Sequence, residues 1–207
     1  METDSAVQNH SESRMKALRN TWIIAGLVLG LVGVAIDRAL VSQNVSDQRD
    51  FNMLALYLPS PPSVVEHALG MAQVGSNDLV YDLGSGDGRV LVEAAQKFHA
   101  RAIGIELNYG LVAHSRAKIR ALGLESQVEV LWGDILKHDL SPATVVFLFL
   151  PTESNRALRP KLERELRPHT RVISHNSPIE GWEPVSVEVL RDPDNRDTPH
   201  TIYLYRR

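Results

Sequence analysis

Apolar and polar residues alternate with two different periods along residues 56–207, and the pattern predicts an α/β domain. Short apolar runs between glycine, proline or polar residues are typical of buried strands, and apolar residues at 3.6-residue spacing are typical of amphipathic helices. The predicted strands are 79–81, 102–106, 128–132, 143–150, 171–174, 186–190 and 201–205. The predicted helices are 62–72, 90–98, 109–122 and 156–166. Because the last two strands follow one another without a helix, we expect a mostly parallel sheet that ends in an antiparallel hairpin.

A longer apolar run at residues 22–36 lies ahead of this domain. It reaches the ~20 residues that a spanning helix needs only if the flanking residues are included. We therefore interpret residues 21–41 as a membrane-anchor helix, which follows a disordered N-terminus at 1–20 and precedes a linker at 42–55. A cleaved signal peptide and a core helix are the alternatives. No A-x-A site follows the run, and the domain at 56–207 is complete without it.

Composition excludes several kinds of site. The formal net charge is −3, so there is no basic field to attract a nucleic acid. The chain has no cysteine, which excludes a disulfide framework, a thiolate nucleophile and an iron–sulfur site. The eight histidines are scattered without ligand spacing. We therefore predict no metal site and no nucleic-acid partner.

A glycine-rich stretch, residues 82–88 (DLGSGDG), joins the first strand to the second helix. Its glycines let the backbone approach a ligand closely and adopt positive φ angles. The dinucleotide fingerprint needs a glycine where this chain has Arg89. The carboxylates of Asp82 and Asp87 would repel a pyrophosphate, whereas they would attract a cationic sulfonium and an amino group. The stretch therefore favours S-adenosylmethionine over NAD.

Two more acidic residues stand at the ends of the next two strands. Glu106 ends the second strand, where it can accept hydrogen bonds from both ribose hydroxyls of a nucleoside. Asp134 follows the third strand, where its carboxylate can meet an adenine amino group. Loop acids also cap helices, which is the alternative interpretation for each one alone. Acids after three consecutive strands favour a shared ligand pocket.

Residues 82–134 resemble the cofactor half of a class I (seven-strand) S-adenosylmethionine-dependent methyltransferase. The resemblance implies a Rossmann-like seven-stranded sheet over residues 56–207, with the N-terminal hydrophobic helix outside it. It also implies that the glycine loop holds the methionine part of S-adenosylmethionine, that Glu106 holds the ribose, and that Asp134 and Ile135 flank the adenine. Tyr57 lies on a segment that can fold over the cofactor or pack against the first helix. The implied cofactor-binding residues are Tyr57, Asp82, Gly84, Ser85, Gly86, Gly88, Glu106, Asp134 and Ile135.

Four stretches are similar to the membrane-associated protein-lysine N-methyltransferases of the ATP synthase c-subunit and of adenine nucleotide translocase, and more distantly to Dot1-type enzymes. They are residues 57–59 (YLP), 80–89 (VYDLGSGDGR), 158–166 (LRPKLEREL) and 171–174 (RVIS). The resemblance implies a protein-lysine N-methyltransferase that acts on a membrane-associated protein.

The segment after the fourth strand departs from other amino-methylating families. Those families carry Asn/Asp-Pro-Pro-Tyr/Phe, and this chain has LPTE at residues 150–153. The difference argues against N6-adenine and glutamine methylation. Ligands of open α/β sheets bind beyond the carboxyl ends of the strands. We therefore expect Pro151, Glu153 and Asn155 to line the substrate channel in a loop, with His175 and Asn176 as weaker candidates.

Two alternatives to lysine methylation stay open. One is a methyltransferase for a small membrane-soluble molecule such as a quinone or a lipid. The other is a cofactor-binding assembly factor without catalysis. We expect the catalytic domain on the side supplied with S-adenosylmethionine, in the cytoplasm or at the mitochondrial inner membrane of a eukaryote. The basic residues Arg14, Lys16 and Arg19 ahead of the anchor favour the opposite orientation, so the topology stays open.

Overall fold

A computed structural model describes residues 59–191 and 198–207 of the chain. The predicted disordered segment at 1–20, the anchor at 21–41, the linker at 42–55 and Tyr57 all lie outside these residues. They stay predictions. Within the described ranges, no helix combines the length and the apolar character needed to cross a bilayer.

The described residues form seven strands and four α-helices. The strands are β1 (Leu79–Leu83), β2 (Arg101–Glu106), β3 (Val128–Trp132), β4 (Val145–Leu148), β5 (Arg171–His175), β6 (Ser186–Arg191) and β7 (Pro199–Arg206). The helices are α1 (Pro62–Met71), α2 (Arg89–Phe98), α3 (Tyr109–Ala121) and α4 (Thr152–Glu165), with a 3-10 turn at Ile135–Lys137. Each predicted strand and helix is present, with small differences at the ends.

All seven strands belong to one sheet, in the order β3-β2-β1-β4-β5-β7-β6. Strands β1 to β5 run parallel, and β7 runs antiparallel to its neighbours β5 and β6. This confirms the predicted mostly parallel sheet with a C-terminal antiparallel hairpin. The chain moves outward in one direction from β1 and in the other from β4. At such a switch point the loops diverge and leave a crevice beyond the carboxyl ends of the strands.

The side chains of β4 divide between two hydrophobic cores. Val145 and Phe147 pack with helices α1, α2 and α3 on one face, whereas Val146 and Leu148 pack with α4 on the other. A strand that is buried on both faces has a continuous apolar sequence instead of an alternating one. The sheet is therefore a rigid central layer, and the loops at its carboxyl edge carry the polar groups.

The predicted start of the fourth helix is wrong by four residues. Helix α4 begins at Thr152 and not at residue 156, and β4 is shorter than the predicted strand at 143–150. Pro151 occupies the N-cap with φ −55°, and Glu153 places a negative charge in the first turn, where the helix dipole stabilises it. Residues 152–155 therefore form a helical turn and not the expected loop.

Candidate functional site

The glycine loop, residues 84–88, curls over the end of β2. The amides of Gly84 and Ser85 both donate to the Ile105 carbonyl oxygen, at 2.9 and 3.1 Å. Gly84 has φ +88° and Gly88 has φ +74°, in the left-handed region that favours glycine. A Cβ atom on Gly88 would lie 2.9 Å from the Ser115 hydroxyl oxygen. Backbone conformation and lack of space therefore both require glycine at position 88.

Two residues that sequence reasoning missed hold this loop in place. A Cβ atom on Gly104 in β2 would lie 2.5 Å from the Ser85 hydroxyl oxygen and 2.6 Å from Leu91 Cδ1. Ser115 of α3 is buried and donates to the Gly86 carbonyl oxygen at 2.9 Å. A glycine inside a strand often marks a close approach of another segment, so Gly104 carried a usable signal. Ser115 did not, because its position on a helix gives no hint of its partner.

Glu106 lies directly against the glycine loop. One carboxylate oxygen accepts from the Gly86 amide and the other from the Asn108 amide, both at 2.8 Å. The structure therefore brings this predicted ribose-binding group and the loop together.

Asp134 lies beyond β3, after the strand position that pairs with Glu106. Its carboxylate accepts from the Leu136 amide at 2.9 Å and caps the 3-10 turn, which begins at Ile135. Capping was the alternative interpretation for this acid. The role of Asp134 and Ile135 toward an adenine stays a prediction.

Asp82 is buried at the end of β1, with 4% of its surface exposed. Among the described residues, no donor is hydrogen-bonded to its carboxyl group. Burial, and then the nearby charges of Glu106 and Asp87, raise the pKa of Asp82 to about 8. The Ser85 hydroxyl in the loop is also buried and lacks a partner within the described ranges. Buried polar groups normally have partners, so these two groups indicate a ligand that supplies a positive charge and hydrogen bonds.

Asp87 does not share the isolation of Asp82. Its two carboxylate oxygens accept from Arg89 Nε and Nη2 at 2.9 and 2.8 Å, and Lys118 Nζ lies 3.9 Å away. Burial alone would raise the pKa of Asp87, but the hydrogen bonds and charges of Arg89 and Lys118 outweigh it and lower that pKa. The structure therefore leaves Asp82 as the acid of this stretch that can meet a cationic ligand.

The three predicted substrate-channel residues differ in their surroundings. Pro151 and Glu153 are exposed at the start of α4, and Glu153 forms an ion pair with Arg156. Asn155 is fully buried, and its Nδ2 donates to the Ser177 carbonyl oxygen at 3.0 Å and to the Ser174 hydroxyl oxygen at 3.2 Å. Its Oδ1 is buried without a hydrogen-bond partner in the part of the chain that the structure describes.

His175, at the end of β5, is fully buried beside the same edge of the sheet. Its Nδ1 lies 2.8 Å from the Ser60 hydroxyl oxygen, its Nε2 lies 2.9 Å from His200 Nδ1, and its ring stacks on Phe149 at 4.0 Å. Burial, and then the neighbouring His200, lower the pKa of His175 to about 3. The imidazole is therefore neutral at physiological pH. Sequence reasoning missed Ser60 and His200, because each is far from His175 along the chain.

Comparisons with known proteins agree on the kind of enzyme. Residues 82–186 match the family model described as the ANTKMT methyltransferase domain. The chain is 42% identical over 150 residues to a protein-lysine N-methyltransferase of Saccharolobus islandicus, a match that covers 72% of this chain and 91% of that protein. It is 34% identical over 128 residues to the human ATP synthase C-subunit lysine N-methyltransferase, a match that covers 62% of this chain and 54% of the human protein.

A solved structure is also similar to much of this chain. It is the crystal structure of an RNA methyltransferase from Salinibacter ruber in complex with S-adenosyl-L-homocysteine. It shares 38% identity and a TM-score of 0.66 with this chain, and the match covers 72% of this chain and 93% of that one.

The buried carboxyl group of Asp82 predicts a specific pH dependence of stability without ligand. Because the pKa is raised from 3.8 to about 8 on folding, the unfolded chain loses this proton first. The stability that the protonated group contributes is complete below pH 3.8 and is lost as the pH rises toward 8. We expect Asp82→Asn to increase the free energy of unfolding by about 2–4 kcal/mol near pH 7, and less toward pH 4.

Urea denaturation of both proteins at several pH values measures this difference. The exposed Asp139→Asn serves as the control and should bring no gain, because hydrogen bonds from Ser141 lower the pKa of Asp139. An Asp82→Asn effect that does not vary between pH 4 and 8 would contradict the raised pKa.

Proposed function

The chain belongs to the ANTKMT methyltransferase family, and we propose that it transfers a methyl group from S-adenosylmethionine to a lysine side chain of a protein. The observation that carries the proposal is the buried carboxyl group of Asp82, which has no described donor and lies beside a glycine loop that Glu106 contacts. The bound S-adenosyl-L-homocysteine of the Salinibacter structure supports the cofactor. The lysine acceptor is supported by the names of the relatives.

The polar groups of the site fit S-adenosylmethionine. When bound, this cofactor supplies a methyl group on a cationic sulfur. Asp82 would provide a negative charge for its ammonium group or sulfonium, and the Ser85 hydroxyl would provide a hydrogen bond that the described residues leave unused. Glu106 would receive the ribose hydroxyls, and Asp134 and Ile135 would border the adenine. Both oxygens of Glu106 already accept from backbone amides, which orients them before a ligand binds.

Among the substrate-channel candidates, we assign the orientation of the acceptor to Asn155. A lysine amine has a pKa of about 10.4 in water and must lose a proton before its lone pair can react. The unpartnered Oδ1 of Asn155 is an uncharged acceptor, which can hold the N–H of a neutral amine without favouring the ammonium form as a carboxylate would. Ser174 and Ser177 fix the amide on its other side. Pro151 and Glu153 would lie at the exposed entrance of the channel.

The proposed substrate is a membrane-associated protein, because the apolar run at 22–36, as a membrane anchor, would hold the enzyme at a membrane. The catalytic domain would lie on the side supplied with S-adenosylmethionine, in the cytoplasm or at the mitochondrial inner membrane of a eukaryote.

RNA is the second candidate acceptor, because the Salinibacter protein is named as an RNA methyltransferase. The net charge of −3 weighs against it, since RNA binding draws most of its affinity from basic groups that neutralise phosphates.

The acceptor class can be tested with the full-length protein, S-adenosylmethionine labelled in its methyl group, and membrane, soluble and RNA fractions of a cell extract. We expect the label in a membrane protein band that survives lipid extraction and ribonuclease, with methyl-lysine found by mass spectrometry. Label in the organic phase or in RNA would refute lysine methylation. The control is Gly84→Arg, because Gly84 has φ +88° and its Cβ atom would lie 3.1 Å from Leu150 Cδ2. It should transfer no label.

Asn155→Ala tests the acceptor site separately. We expect kcat to fall about 10- to 100-fold, because the amine loses its orienting oxygen, while the Kd for S-adenosyl-L-homocysteine stays within about twofold. The exposed Arg164→Gln is the matched control on the same helix, because Arg164 has no proposed part in the channel. Equal losses in both variants, or a Kd change that accounts for the whole Asn155→Ala effect, would exclude Asn155 as the acceptor residue.

A further inference from the structure

A continuous chain of hydrogen bonds joins the C-terminal hairpin to the glycine loop. His200 Nδ1, at the start of β7, lies 2.9 Å from His175 Nε2, and His175 Nδ1 lies 2.8 Å from the Ser60 hydroxyl oxygen. The Ser60 carbonyl oxygen accepts from Arg89 Nη1 at 2.9 Å. Arg89 in turn holds both carboxylate oxygens of Asp87, which lies within the loop. These five residues come from four segments of the polypeptide, because Asp87 and Arg89 are only two residues apart.

His175 and Ser60, in the middle of this series of hydrogen bonds, have no free side-chain polar atom with which to form an alternative arrangement. Both ring nitrogens of His175 are engaged, one as donor and the other as acceptor, and the ring is fully buried against Phe149. Ser60 is almost fully buried, and its hydroxyl and its carbonyl oxygen are both used. Losing one link would leave a buried polar group without a partner, which costs more free energy than an ordinary surface hydrogen bond.

At the end of this series of hydrogen bonds, Asp87 lies in a part of the glycine loop whose backbone has few other side chains to fix it. Asp87 stands between Gly86 (φ +52°) and Gly88 (φ +74°), two residues without side chains to anchor them. The fork from Arg89 to Asp87 therefore fixes the direction of the loop between these glycines. That direction also sets the Gly86 amide, which donates to Glu106 at 2.8 Å.

We propose that Ser60, His175 and His200 are positioning residues for cofactor binding, which act through Arg89 and Asp87 to hold the glycine loop in its binding conformation. This inference rests on the proposed function, since it takes the loop as the S-adenosylmethionine site. It assigns a role in cofactor affinity to His200, a residue of the C-terminal hairpin.

Calorimetric titration of the full-length protein with S-adenosyl-L-homocysteine tests the proposal. Ser60→Ala removes the hydroxyl and should raise the Kd about five- to tenfold, whereas Ser60→Thr keeps the hydroxyl and should stay within about twofold of the wild type. His200→Leu, at the far end of the chain, should also raise the Kd. His67→Asn is the matched control, because His67 makes an exposed 2.6 Å hydrogen bond to Glu188 that is not one of the hydrogen bonds between His200 and Asp87. It should leave the Kd unchanged.

A double-mutant cycle separates positioning from simple loss of stability. If Ser60 acts through Arg89, adding Ser60→Ala to an Arg89→Lys protein should cost little further affinity. If the increases in Kd caused by the two substitutions multiply in the double variant, the inference is overturned. Variants that lower the melting temperature without changing the Kd would overturn it as well. A wild-type protein that binds no S-adenosyl-L-homocysteine would instead refute the proposed cofactor site itself.

Discussion

A carboxyl group buried at the end of a central strand must be protonated, paired or bound to a ligand. Asp82 is in this position, and the described residues give it no donor. The apolar cores on the two faces of the sheet keep water away from the group, and this burial is the largest cause of its raised pKa. The site therefore favours a positively charged ligand. A methyl donor with a cationic sulfur and an ammonium group meets this requirement, whereas an anionic pyrophosphate does not.

The strand-end residues of the site and its glycine loop are held in place by different elements. The parallel strands fix Asp82, Glu106 and His175 at one edge of the sheet, because each residue lies at or near the carboxyl end of its strand. The glycine loop has no such support of its own. It depends on Ile105, Ser115 and the hydrogen-bond chain through Ser60 to keep its shape. The proposal therefore assigns part of the affinity for the cofactor to residues that do not belong to the loop.

The sequence was sufficient for features that depend on local patterns. The short apolar runs predicted the seven strands, and the acids and glycines after the first two strands predicted that the glycine loop and Glu106 lie together. It was insufficient where tertiary contacts decide. The partners of His175 were out of reach, since Ser60 is 115 residues away along the chain. The helical turn at 152–155 is a different case, because Pro151 before it and Glu153 within it are local signals of a helix start that the loop prediction passed over.

The charge on Asp82 can be followed directly by calorimetric titration with S-adenosylmethionine at pH 6.5, in two buffers of different ionisation enthalpy. Because the pKa of Asp82 is raised to about 8, the free protein carries this proton at pH 6.5. A bound cation should displace it, so the wild type should release about one proton per cofactor more than the Asp82→Asn variant, and bind more tightly. Equal proton release and equal affinity in the two proteins would contradict the account.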